Sequence, residues 1–273
     1  MDQRWLKVLV YGNYGKGKTT LAGSSADVPQ MRDVLAIDAE AGDLAYEDNP
    51  RIQHPDYIEH VRVTTFIQVA RVHEFLRSHC IKRDNNDVDG MRRIEAWLKG
   101  CNPQDIKEPR RFRTVIIDSL SEVEAYCAYE LMKVDEGTVL TGSAEEIDVM
   151  RFDEFRKNNM KIQMVVRAFR DLPMHVILVC SQQYTQDERK RFHYGPMMTG
   201  KLSGQIQGFV DIVGYLLTGV PDERGIAPRR LYVQPIDIDG QKFDAKNRRA
   251  AYPNAYFEDP TMDTIMRGVG LLK

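Results

Sequence analysis

The sequence predicts an α/β fold: a central, mostly parallel sheet flanked by helices, with antiparallel strands toward its C-terminal end. Three observations predict it. Residues 12–19 read G-x-x-x-x-G-K-T and follow a short apolar run, which is the strand, glycine-rich loop and helix order of a phosphate-binding loop. Further short β-branched runs alternate with stretches of helical periodicity, the mark of crossover units joining parallel strands. Carboxylates and amides stand where those runs end, at Asp38, Glu40, Asp118 and Gln182. Ligands of open α/β sheets bind outside the carboxyl ends of the strands, so these side chains are expected on one rim.

At 273 residues the chain is long enough for one large domain with a substantial core, read as 1–273 with a polar insertion around 82–109. With 38 Lys and Arg against 40 Asp and Glu the net charge is -2, so any nucleic-acid surface must be a local patch. The four cysteines, Cys80, Cys101, Cys127 and Cys180, form no C-x-x-C pair and have no histidine at ligand spacing. That argues against a zinc site and for reduced, cytosolic thiols, with Cys180 a small core residue. No apolar stretch approaches the roughly 18 residues that span a membrane, and the chain enters a strand almost at once, leaving no room for a signal peptide. The expectation is a cytoplasmic protein with no membrane partner.

Residues 7–11 (KVLVY) read as a buried strand, and the loop follows as Gly12, Asn13, Tyr14, Gly15, Lys16, Gly17, Lys18 and Thr19. The glycines let backbone N–H groups form a nest for phosphate oxygens, and the helix behind adds its positive end. Lys18 is placed to reach the β- and γ-phosphates of ATP and Thr19 to put its hydroxyl on Mg²⁺. Thr20 caps the loop or approaches the α-phosphate. Four specified positions match by chance about once in a hundred chains of this length.

Residues 34–37 (VLAI) form a second strand ending in Asp38 and Glu40. Glu40 could polarise a water for attack on the γ-phosphate. Both carboxylates serve equally well as turn caps, and the residues alone leave the two readings open. Residues 61–64 suggest a third strand, followed by a helix through residues 66–76. His73 and His79 read as surface or helix-face residues without ligand partners. Residues 82–109 are polar and charge-rich, a flexible excursion with a helix at 91–99 and no chemistry. Residues 114–117 (TVII) form a buried strand with Asp118 at its end, where the metal-side acid of a phosphate-loop fold belongs. Ser119 then caps a helix, with Glu122 three residues on as a capping box, so Glu122 and Glu124 read as helix-start residues.

After a polar loop at 135–148, a helix is expected over residues 152–169, ended by Pro173. Residues 175–180 (HVILVC) are the next buried strand, with Ser181, Gln182 and Gln183 at its end, where an amide could sense the γ-phosphate. A loop over 184–201 follows, carrying Arg189, Lys190, Arg191, Phe192, His193, Tyr194 and Lys201. Cations interleaved with aromatics suit single-stranded nucleic acid, the cations holding the backbone and the rings stacking on bases. A solvated charged face is the alternative. Strands are expected at 208–217 and 231–235, with a turn at 237–240 before residues 241–249.

Taken together, GNYGKGKTTLA at 12–22, AIDAEAG at 36–42, TVIIDSL at 114–120, HVILVCSQQ at 175–183 and FDAKNRRAAYP at 243–253 resemble the RecA superfamily of P-loop ATPases. Within it they resemble the phage Sak-type single-strand annealing proteins, often called phage nucleotide-binding AAA proteins. The resemblance implies a RecA-like P-loop NTPase core. It places the water-activating base on Glu40, the metal-side aspartate on Asp118 and the γ-phosphate sensor on Gln182, with Gln183 as second candidate. The stretch that reaches a neighbouring protomer's nucleotide falls on Lys246, Asn247 and Arg248; ordinary solvated cations are the other reading of Lys246 and Arg248. It also implies an ATP- and Mg²⁺-dependent ATPase of the phage or bacterial host cytosol, acting in DNA recombination. Its partners would be single-stranded DNA, a single-strand binding protein, and further copies of itself with nucleotide at the subunit interface. The loop begins eleven residues from the start, so the N-terminal polymerisation helix of bacterial RecA is not expected; nor, as a separate departure from that pattern, is its C-terminal DNA-gathering domain. The reading from another class is a P-loop switch or assembly ATPase that acts on a protein and never touches DNA. A small-molecule kinase is disfavoured, since no arginine-rich lid stands beside a second substrate pocket.

Overall fold

The computed structural model describes residues 4–40, 44–47, 49–134, 150–188, 190–221, 223, 227–249 and 252–273. Its strands in chain order are β1 (Lys7–Gly12), β2 (Val34–Asp38), β3 (Ile58–Arg62), β4 (Thr114–Asp118), β5 (His175–Gln186), β6 (Phe192–Pro196), β7 (Ile212–Thr218), β8 (Arg229–Tyr232), β9 (Ile236–Ile238), β10 (Gln241–Phe243), β11 (Lys246–Asn247) and β12 (Tyr256–Glu258). The helices are α1 (Lys18–Gly23), α2 (Leu44–Glu47), α3 (Phe66–Asp84), α4 (Val88–Lys99), α5 (Leu120–Met132), α6 (Phe152–Asp171), α7 (Leu202–Gln207) and α8 (Met262–Gly268).

The main sheet runs β12-β8-β7-β1-β5-β4-β2-β3. From β7 to β3 every neighbouring pair is parallel, while β8, β11 and β12 add antiparallel. This is the mixed α/β architecture of a P-loop NTPase core, with its antiparallel strands C-terminal. The central strands read as unbroken apolar runs because both faces are covered. Side chains alternate between the faces, so Leu9, Tyr11, Leu35, Ile37, Val115, Ile117 and Leu178 enter one core. Val8, Val10, Val34, Ala36, Ile116, Ile177 and Val179 enter the other. Helices α3, α5 and α6 supply the first layer, and α1 and α8 the second.

Because the six strands are parallel and in register, Gly12 stands opposite Ser181, Asp38 opposite Asp118, and Asp118 opposite Val179. One rim therefore collects the ends of β1, β5, β4 and β2. Among the described residues no helix is long and apolar enough to cross a membrane.

The segment expected as a loop over 184–201 is instead largely a β-hairpin. Strand β5 continues past the rim to Gln186, and β6 pairs back on it antiparallel from Gln186↔Phe192 to Gln182↔Pro196. Strand β10 extends this second sheet beside β6. The alternation of Tyr184, Phe192 and Tyr194 with polar residues suits a half-solvated strand pair, and cross-strand aromatic packing outweighs the polar composition. The third strand lies earlier than expected, at Ile58–Arg62.

Within the polar stretch 82–109, α4 packs on α3 and its charges find partners. Lys99 reaches Glu59 at 2.9 Å, Arg110 reaches Glu59 at 3.3 Å, and the buried Glu95 accepts from the Arg110 N–H at 2.7 Å. His79 lies on the inner face of α3, fully buried, with Nε2 2.9 Å from the Arg110 carbonyl. Burial lowers its pKa.

Candidate active site

The phosphate loop is shaped by its glycines. At the end of β1, a Cβ on Gly12 would stand 2.7 Å from the Leu216 carbonyl oxygen, so only glycine lets β1 close on β7 there. Gly15 and Gly17 turn the chain through φ of 68° and 84°, which side-chain-bearing residues rarely adopt. Thr218 at the end of β7 steadies the loop from outside, its hydroxyl donating to the Lys16 carbonyl at 3.2 Å.

Lys18 folds across this cradle. Its Nζ donates to the carbonyls of Gly12 at 3.0 Å and Asn13 at 2.9 Å and lies 5.6 Å from the centre of the exposed Tyr14 ring. Burial lowers the ammonium pKa, while Glu40 and Asp118 pull it back up. Both carboxylates thus lie within electrostatic reach of the cation that would meet the phosphates.

Thr19 donates its hydroxyl to Asp118 Oδ2 at 2.7 Å. Asp118, buried at the end of β4, also accepts from the Tyr46 hydroxyl at 3.1 Å. Burial raises its pKa to about 6, and the Glu40 charge adds to this, against the Thr19 and Tyr46 hydrogen bonds and the Lys18 charge. Among the described residues no group of three or more His, Cys, Asp or Glu could hold a metal ion. Mg²⁺ needs no such group: it is held by one or two protein oxygens, the remainder coming from phosphate and water. A hydroxyl and a buried carboxylate 2.7 Å apart beside a phosphate cradle fit that ion. Thr19 and Asp118 would hold it, and it would supply positive charge to the phosphate oxygens.

Asp38 and Glu40 divide their roles. Asp38 is buried and accepts the Glu40 backbone N–H at 3.1 Å. The turn is fastened further by the Ala39 N–H on the Asp118 carbonyl at 2.7 Å and the Tyr126 hydroxyl on the Ala39 carbonyl at 2.7 Å. Glu40 is exposed on the rim, and its charge is felt at Lys18, Asp118 and Glu122.

At the end of β5 the two glutamines also part. Gln183 Nε2 donates to the Met198 carbonyl at 2.8 Å, whereas the buried Oε1 of Gln182 has no partner. Gln182 is one residue beyond Ser181, the register partner of Gly12. Ser119 accepts the Glu122 N–H at 3.3 Å as the cap of α5. Glu124, buried, accepts the Thr199 N–H at 3.1 Å.

The structure brings together Gly12, Asn13, Tyr14, Gly15, Lys16, Gly17, Lys18, Thr19, Thr20, Glu40, Asp118 and Gln182. It does not bring Lys246 and Arg248 to this chain's own loop. Lys246 pairs with Val213 near the amino end of β7, and its Nζ donates to the Gln207 carbonyl. Burial and Arg248 lower its pKa to about 8.

The nucleic-acid candidates sit on the hairpin or just after it. Tyr184 and Phe192 are 64% and 37% exposed, with ring centres 5.5 Å apart. Tyr194 is stacked inward on Phe243 at 4.6 Å. Lys190 and Lys201 are exposed. Arg191 pairs with Asp187 at 2.8 Å, which also lies 3.3 Å from His193. Arg189 lies outside the described residues.

Sequence reasoning missed Tyr46 and also Asn49, whose Nδ2 donates to Thr20 Oγ1 at 2.7 Å. It also missed Arg229, whose guanidinium packs on Gly17. No spacing rule ties these residues to the loop; only the return of the chain over α1 and the pairing of β8 with β7 do so. A search of curated proteins finds no match to the chain. A family profile described as an AAA domain matches residues 4–249, a span that holds the phosphate loop, Glu40, Asp118, Gln182 and the hairpin. The chain belongs to the AAA domain family of nucleotide-dependent P-loop ATPases.

Proposed function

We propose that the protein is an ATP-dependent, single-stranded DNA-binding recombination protein of the Sak type, which anneals or exchanges strands and hydrolyses ATP. The observation that carries this is the course of β5. The strand begins in the main sheet, passes the phosphate loop at Ser181 and Gln182, and ends in a hairpin with two exposed aromatic rings and exposed cations. A change of hydrogen bonding at Gln182 is thereby transmitted along continuous strand to the DNA-binding face.

In the hydrolysis step, Lys18 and the loop N–H groups hold the phosphates, and Glu40 accepts the proton of the water that attacks the γ-phosphorus as its bond to the β–γ bridging oxygen breaks and ADP leaves. Thr19 and Asp118 would hold Mg²⁺, which would supply positive charge to the phosphate oxygens. Gln182, whose side-chain N–H donates to a γ-phosphate oxygen, registers loss of the γ-phosphate.

The test of DNA binding is a hairpin variant. Replacing Arg189, Lys190 and Arg191 with Ala is expected to weaken single-strand binding and reduce the magnitude of the log-affinity against log-salt slope by about 2. Each lost phosphate contact removes about 0.7. Titrations at several salt concentrations measure it, and ATP affinity should survive. An unaltered slope would favour a P-loop switch acting on a protein partner. That second reading has one observation on its side: Asp187 neutralises part of the charge of Arg191 and His193.

Lys246 and Arg248, remote from their own loop, are proposed to act on a neighbour's γ-phosphate in a homo-oligomer. A cation that serves only the transition state lowers turnover while sparing ATP affinity. Adding Glu40→Gln protein to the Lys246→Ala/Arg248→Ala protein should restore part of the ATPase, because some shared sites then hold both a base and a cation. No recovery, with monomers in ATP-containing sizing runs, would mean that each subunit works alone.

A further inference from the structure

Arg229 is 8% exposed, its Nε has no hydrogen-bond partner, and no carboxylate among the described residues pairs with its guanidinium. It opens β8 opposite Thr218, the residue whose hydroxyl holds the Lys16 carbonyl. The guanidinium packs on the phosphate loop itself: a Cβ placed on Gly17 would meet Nη1 at 3.0 Å and Cδ at 3.7 Å. Gly17 is therefore constrained by the arginine as well as by its φ of 84°.

The local charge is unbalanced. Burial lowers the guanidinium pKa, and the exposed Arg51 acts in the same direction. Asp259 opposes them but is engaged with the main chain of Arg229, its carboxylate accepting the Arg229 N–H at 3.2 Å. A buried guanidinium packed on a phosphate cradle, with no carboxylate among the described residues bonded to it, is a costly arrangement for a purely structural role, since an unpaired buried charge destabilises a fold. A bound anion supplies the missing charge.

Direction follows from strand order. The Asp118 strand β4 is the second neighbour of β1 on one side, and β8 is the second neighbour on the other. Glu40 and Gln182, assigned to the γ-phosphate, stand at the end of β2 and in β5, on the β4 side, so a cation reaching the loop from the β8 side would meet the phosphate nearer the nucleoside. We propose that Arg229 is a ligand of the nucleotide's α-phosphate, contributed in cis beside Gly17, a proposal that rests on nucleotide binding at this loop. Arg229 sets ground-state affinity and has no part in attack on the γ-phosphate. ATP and ADP meet it equally.

The experiment titrates ATP and ADP into wild-type protein, Arg229→Met, Arg229→Lys and Lys18→Ala, with turnover at saturating ATP and melting without nucleotide. Arg229→Met keeps the buried stem and both main-chain bonds to Asp259, the Arg229 N–H on its carboxylate and the Asp259 N–H on the Arg229 carbonyl at 2.8 Å. It is expected to bind ATP and ADP about ten- to a hundredfold more weakly, the size of one charge-assisted hydrogen bond to phosphate. Its turnover at saturation should stay within about twofold, and its melting temperature should hold or rise because an unpaired buried cation is gone. Arg229→Lys should recover part of the affinity. Unchanged affinity in Arg229→Met, a loss confined to ATP, or a lowered melting temperature without recovery in Arg229→Lys would each overturn the proposal. Lys18→Ala separates the levels: if it too binds like wild type, nucleotide binding at this loop fails. If it loses binding while Arg229→Met does not, only Arg229 is misassigned.

Discussion

Lys18→Ala is expected to lose ATP binding and hydrolysis together, with affinity down at least about a hundredfold and turnover below detection. The ammonium is the point charge available to the β- and γ-phosphates, and each charge-assisted hydrogen bond to phosphate is worth about 1.5–3 kcal/mol. Without nucleotide the substitution should be nearly silent. Lys18 is only half-buried, its burial disfavours the charged form, and of the two carbonyls that it leaves, that of the exposed Asn13 is open to water. A melting temperature close to wild type beside a flat ATP titration is therefore the predicted pair. ATPase at the wild-type rate would end the phosphate-loop assignment.

The second large effect is expected at Glu40. Glu40→Gln should bind ATP at least as well as wild type, because a carboxylate near Lys18 and Asp118 repels the phosphates it faces. It should hydrolyse ATP about 10²- to 10⁴-fold more slowly, the range of a general-base contribution. Asp38→Asn is the control for the neighbouring carboxylate. Asp38 is buried on the Glu40 backbone N–H, so its loss should loosen the turn and cost mainly stability. Single-turnover rates for the two variants, with melting curves beside them, distinguish the roles. Abolished turnover in folded Asp38→Asn with near-normal turnover in Glu40→Gln would mean that the wrong carboxylate was chosen as base.

The parts of this site that were legible in the sequence are those built from one strand and its end. Residues 7–11, 34–37, 114–117 and 175–180 are buried on both faces, so composition alone marks them, and parallel register then carries Gly12, Asp38, Asp118 and Ser181 to one rim. The antiparallel tail was readable only in outline, because β9, β10 and β11 have two or three residues each, too few for a period to develop. The hairpin at β5 and β6 was missed for a different reason. Only its tip is exposed, and there Tyr184 and Phe192 stand among polar residues outside the core, which hides the strand period. The helix α4 hid its packing in charge, since Glu95, Lys99, Glu59 and Arg110 satisfy one another. Tyr46, Asn49 and Arg229 reach the loop from distant segments, and such contacts exist only once the chain has folded back on α1 and β7.

The central claim is that one strand couples ATP hydrolysis to single-stranded DNA. Its most direct measurement is the steady-state ATPase of the wild-type protein with and without single-stranded DNA, beside the Arg189→Ala/Lys190→Ala/Arg191→Ala variant. Turnover in wild type that changes with DNA, and a variant that keeps basal ATPase but loses the response, is the predicted result. ATPase indifferent to DNA in both proteins, with no DNA binding in the presence of ATP, would contradict it.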